Sequence, residues 1–180
     1  MNILKKQGVA WGIAFAMILA AIGIGLAKAP TSNAPLTPDP GVSQPGAAEE
    51  QFYVYDDANV LSGSEERNLG RLNEDLYSSM GVVVACVTTN YGRDDLYSFA
   101  LDYAERIRLD QYDFIVVLDI SGDNYWLVQG AGLVDLFTDD DCSDYAWEYL
   151  EDDFARGDYG DALLSLVKGL SQWYEAHYTG

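Results

Sequence analysis

YDFIVVLDISGDNYWLVQGAGLVDLFTDDD, residues 112–141, holds an unbroken apolar run that ends in an acid and is followed by a turn. Phe114 to Leu118 (FIVVL) is β-branched and aromatic on both alternating faces, the pattern of a strand covered on both sides of a sheet. An α/β layer fold follows. Ser121-Gly122-Asp123-Asn124 is turn chemistry and Tyr125 to Val128 is a second strand-like run, so the two read as a hairpin. Gly130-Ala131-Gly132 then marks a place where the backbone bends or another segment packs closely. A helix is expected from about Thr138, with Asp139, Asp140 and Asp141 at its start, where carboxylates suit the helix dipole.

Upstream, Phe52 to Tyr55 is a short strand candidate ending at Asp56-Asp57. Ser62 with Glu65 three residues on is a capping box, Leu69, Leu72 and Leu76 recur at helical spacing, and Gly81 supplies the stop. Val82 to Val87 reads as a central strand with Thr88-Thr89-Asn90 beyond it, and the strand–helix–strand order predicts a right-handed parallel crossover. Asp94 or Asp95 opens a helix with the stripe Leu96, Phe99, Ala100, Tyr103, Ala104 and Ile107. Downstream, Cys142, Tyr145, Ala146, Tyr149 and Leu150 form one buried face. Arg156 to Gly160 breaks that helix, and Leu163, Leu166, Val167, Leu170, Trp173 and Tyr174 line a last one.

The chain has 180 residues and divides by composition into 1–28, an N-terminal transmembrane anchor, 29–51, a linker holding all five prolines, and 52–176, one folded domain. Lys5-Lys6 precedes eighteen uncharged residues, Val9 to Leu26, enough to cross a bilayer as one helix. The lysine pair favours an inside amino terminus, which puts the domain on the extracytoplasmic side of the cell membrane. Ala27-Lys28-Ala29 has the form of a signal-peptidase site, but cleavage there would leave Pro30 first, so an uncleaved anchor is the preferred reading.

Only Asp39 among the 29 acidic residues, and Lys5, Lys6 and Lys28 among the ten basic ones, precede Glu49. That leaves 28 acids and seven bases beyond, a net −21. Such a field repels nucleic acid, and it serves either to concentrate cations or simply to keep the surface soluble. The only histidine is His177, four residues from the end, which speaks against Ser-His-Asp, Cys-His and multi-histidine zinc sites. Cys86 and Cys142 read as small core residues. Gly130-x-Gly132 lacks the rest of a dinucleotide fingerprint and there is no Walker sequence. Asp119 to Asp123 fails as a phosphatase Asp-x-Asp motif. Asp140 to Glu151 has EF-hand end spacing, but Tyr145 stands where glycine is needed, so it reads as helix.

What remains is a set of oxygen donors at strand ends. If the three strands are parallel, Asp56 and Asp57, the Thr88 to Asn90 segment and Asp119 share one edge of the sheet, the edge at which open α/β sheets bind ligands. Oxygen-only donors select Ca²⁺ or Mg²⁺. The competing account is that each Asp caps a turn or a helix. The antiparallel strand carries Gly130 to Gly132 to the opposite edge, so Asp139 joins the set only if the chain returns.

Four segments in order resemble the TPM domain, an extracytoplasmic module of bacterial membrane-anchored proteins and of plant thylakoid-lumen proteins linked to photosystem II repair. They are YVYDDANVLSGSEE (53–66), MGVVVACVTT (80–89), VQGAGLVDLFTD (128–139) and FARGDYGDAL (154–163). RIRLDQYDF (106–114) departs from the family's usual Trp-x-Gly loop and is shorter. The resemblance implies a three-layer α/β/α sandwich with a mostly parallel sheet of about four strands. For some members it also implies Ca²⁺ or Mg²⁺ binding or weak acid-phosphatase activity. It matches Asp56 and Asp57 to the opening acidic pair, Asp139 to the Thr-Asp residue and Asp119 to an acidic position after the third strand. The resulting expectation is a divalent-cation-binding accessory or partner-binding module, anchored to the membrane and engaging a protein partner. A weak metal-assisted phosphatase is the alternative.

Overall fold

The structure is a computed structural model that describes residues 52–178; the expected anchor and linker lie outside them. Four strands form one sheet in the order β1-β2-β3-β4: β1 Val54–Asp56, β2 Val84–Thr89, β3 Phe114–Asp119 and β4 Asn124–Gln129. The first three are parallel and β4 pairs antiparallel with β3, giving a mixed sheet. Every residue of β2 and β3 is buried, as their two-sided apolar sequence requires. The helices are α1 Gly63–Met80, α2 Leu96–Arg106, α3 Asp139–Tyr149, α4 Glu151–Phe154 and α5 Tyr159–His177. Among the described residues no helix is long and apolar enough to cross a membrane.

Alternation along the strands separates two apolar clusters. Val84, Cys86, Phe114, Val116 and Leu118 face α1, α3 and α5, whereas Ala85, Val87, Ile115 and Val117 face α2. Helices therefore cover both faces, and α1 and α2 lie on opposite ones. Since β1, β2 and β3 are neighbours in sequence order and run parallel, two crossovers of one hand would put α1 and α2 on the same face. The two crossovers are thus of opposite hand. Seen from the α1 side with the strands pointing up, Cys86 faces the viewer, so the amide of this L-residue points right. That amide donates to Tyr53 O, which puts β1 to the right of β2 and makes β1–α1–β2 the left-handed crossover. The right-handed expectation fails at this connection. β1 has only three residues, too few to accumulate the twist that enforces the usual hand.

The local signals explain the boundaries. α1 starts at the Ser62–Glu65 capping box and ends at Gly81, which holds φ 71°. α3 starts at a second box, Thr138 with Asp141. β1 begins at Val54 rather than Phe52 because Tyr53 adopts φ 57°. The third helix is interrupted at Leu150, which turns fully inward (φ −118°) and separates α3 from the one-turn α4. β1 is too short to flank the start of β2, and Asn73 of α1 fills the gap. Its carboxamide accepts from Val84 N–H (2.8 Å) and donates to Val84 C=O (2.9 Å). A fully buried side chain thereby stands in for one residue of a neighbouring strand.

Candidate functional site

Pairing places Asp56 opposite Thr88 and Thr89 opposite Asp119, so Asp56, Thr88 and Asp119 do share the C-terminal edge of the parallel strands. Each carboxylate there organises a loop. Asp56 accepts from Val60 N–H (3.1 Å), Leu61 N–H (2.9 Å) and the Thr88 hydroxyl. Thr88 Oγ1 in turn accepts from Ala58 N–H at 3.3 Å, and Asn59 takes φ 54° to complete the turn. Asp119, 1 % exposed, ties two loops together by accepting from Gly92 N–H (2.8 Å), Gly122 N–H (3.2 Å) and the Ser121 hydroxyl (3.3 Å). Gly122 is required there, because a Cβ would lie 2.3 Å from Asp119 Oδ2. Asp57 is exposed and accepts from the Tyr103 hydroxyl at 3.4 Å. Burial, reinforced by the Asp57 charge, pushes that phenol up to about 12.

Asp139 lies elsewhere. β4 runs back to the N-terminal edge, where Gln129 pairs with Phe114, and Gln129 Nε2 donates to Asp139 Oδ1 at 2.8 Å. The chain does not return, so Asp139 is separated from the other three by the length of β3, roughly 17 Å at the usual rise per residue. Its neighbour Cys142 is a buried free thiol, as is Cys86, and burial pushes both up to about 12. Among the described residues no three His, Cys, Asp or Glu side chains are grouped so as to hold a metal ion. The donors at the C-terminal edge are of the class that Ca²⁺ and Mg²⁺ prefer. Both oxygens of Asp56 and of Asp119 already accept hydrogen bonds from the loops they hold.

At the opposite edge Asp113, missed in the sequence, is 6 % exposed. It accepts from Val83 N–H (2.8 Å) and Asp110 N–H (2.7 Å). Burial raises its carboxyl to about 6, against the pull of those two N–H groups. The signal in the sequence was Asp110-x-x-Asp113 immediately before a strand, the spacing of a side chain closing a turn on itself. Tyr125 was read only as a strand residue, but its hydroxyl donates to Glu151 Oε2 at 2.5 Å and joins the hairpin to α4.

The family model of the TPM domain matches residues 54–173. The chain belongs to the TPM domain family. No curated protein sequence matches it. The solution structure of the N-terminal domain of a P. gingivalis protein is 22 % identical with a TM-score of 0.64, over 74 % of this chain and 90 % of that one. The corresponding domain of a Corynebacterium glutamicum protein is 15 % identical (TM-score 0.56; 77 % and 88 % covered). The BA42 protein of Bizionia argentinensis is 14 % identical (TM-score 0.57; 65 % and 83 % covered). At these identities the three support the fold alone. In this TPM domain the divergent 106–114 segment is a compact turn, with Arg108 at φ 58° and the Asp113 carboxylate at its centre. Gln111 and Tyr112 of that turn pack against Gly130 and Gly132, whose absent Cβ atoms would fall 2.3 Å from Gln111 O and 2.5 Å from the Tyr112 ring.

Proposed function

We propose that this TPM domain is held outside the cell membrane by its N-terminal segment and works there as an accessory module that binds a protein partner. The observation that carries this reading is the state of the sheet edge at which a substrate would be processed. Its two strand-end carboxylates, Asp56 and Asp119, are engaged by loop N–H and hydroxyl groups. Asp57, the exposed carboxylate beside them, is held only by the Tyr103 hydroxyl, but among the described residues no three His, Cys, Asp or Glu side chains are grouped to hold a metal ion, which supports binding over metal-assisted phosphoryl chemistry. The tether favours the same role, because a partner in the same membrane meets the domain at a raised effective concentration.

The test is a photo-crosslinking experiment on the full chain in its native membrane, combined with protease shaving of intact cells. The expected result is a discrete cross-linked species whose domain portion is removed by external protease. A chain that stays protected from protease, or one that cross-links to nothing, would overturn the reading.

A further inference from the structure

α1 and α5 pack side by side against the sheet, and a groove of about 230 Å³ runs along their solvent side. Asn68, Arg71, Leu72 and Asp75 line it from α1, at the i, i+3, i+4, i+7 spacing of one helical face; Leu164 and Lys168, one turn apart, line it from α5. Leu72 and Leu164 are half-buried and form an apolar floor, while Arg71 and Lys168 are exposed above it. We propose that this seam docks an acidic amphipathic helix of the partner protein. The inference rests on the partner-binding reading above and names the surface and the chemistry it takes.

Charge complementarity selects the occupant. From Glu49 onward the chain has four times as many acids as bases, so its cations would be expected to be neutralised by neighbouring carboxylates. Arg156 is, by Asp153 and Asp158; Arg93 and Arg106 lie over the rings of Tyr91 and Tyr103. Arg71 and Lys168, like Arg67 and Arg108, have neither an ion pair nor a ring contact, and of these four it is Arg71 and Lys168 that line one groove. Two cations, one on each helix, beside a leucine floor call for carboxylates flanking an apolar stripe, which is what an acidic amphipathic helix presents to a two-helix groove. The net −21 of the chain from Glu49 onward acts against such a ligand at long range. At physiological ionic strength that repulsion is screened beyond about 8 Å, whereas an Arg or Lys at contact distance is not.

The experiment uses the full chain in neutral-lipid nanodiscs and two fluorescent synthetic helices with the same leucine stripe, one flanked by Glu and the other by Lys. The Glu helix is expected to bind, with affinity falling at least about tenfold in Arg71→Glu and in Lys168→Glu and rising in Asp75→Asn. All three positions are exposed, and the melting temperatures of these variants should match the parent. Equal or tighter binding of the Lys helix, indifference to the substitutions, or no binding of either helix would each overturn the proposal. Competition by phosphatidylglycerol vesicles for the same two cations would overturn it in favour of a lipid surface. If the native cross-link persists in Arg71→Glu, the seam is wrong and the partner-binding reading stands; if the parent chain forms no cross-link, that reading has failed.

Discussion

Asp113 shows how one buried carboxylate ties stability to pH. Its folded-state pKa is raised from 3.8 to about 6, so the folded chain holds the proton more tightly than the unfolded one. The stabilisation from protonation is complete below about pH 4 and is lost as pH rises through about 6, amounting to at most about 3 kcal/mol for a shift of roughly two units. Urea denaturation of Asp113→Asn at several pH values should show a flatter slope across that window than the parent. Asp119 matters through the hydrogen bonds it accepts. Asp119→Ala leaves the N–H groups of Gly92 and Gly122 without their acceptor, and a loss of about 3 kcal/mol in urea is expected from an unpaired donor cost of about 1–3 kcal/mol each. Asp57→Ala, at an exposed position, should cost under about 0.5 kcal/mol. Both acids looked alike in the sequence, as polar residues at strand ends, and only the folded loops distinguish a buried clamp from a surface charge.

Gly130 and Gly132 carry the contact between the end of β4 and the turn that precedes β3. The Cβ of Gly130→Ala would meet the backbone carbonyl of Gln111, which cannot swing aside as a side chain could. A loss of about 1–3 kcal/mol is expected, read as a lower melting temperature. Gly63→Ala, whose Cβ would meet only the far end of Arg67 at 3.3 Å, should change it little. Most of the element plan was legible, and for local reasons: the Ser62–Glu65 capping box, a C-terminal glycine, and strands whose apolar runs lack any polar face all act within a few residues. The α5 stripe from Leu163 to Tyr174 is buried at every position expected. What was not legible depends on pairing across the chain. The hand of the β1–α1–β2 crossover follows from a strand too short to impose its twist. The position of Asp139 follows from where β4 ends and which side chain Asp139 meets there. Asn73 reads as one polar residue in a helix, and nothing near it in sequence reveals that β2 would need its carboxamide.

The net charge acts on the molecule as a whole. With 28 acids against seven bases from Glu49 onward, self-repulsion opposes the compact state, and added salt should stabilise it by screening. Because no group of described carboxylates is arranged as a cation site, Ca²⁺ or Mg²⁺ should raise the melting temperature no further than a monovalent salt at matched ionic strength. An excess that Asp57→Ala or Asp119→Ala abolishes would restore the cation reading, since a ligand that binds only the folded form must stabilise it. Asn73 also matters at this scale. By occupying Val84 N–H and C=O, it leaves the first residue of β2 with nothing to offer a foreign strand. Asn73→Leu keeps the bulk but bares that stretch, and its expected effect is concentration-dependent oligomers in sedimentation. One carboxamide thus guards the rim of the sheet from templating its own aggregation.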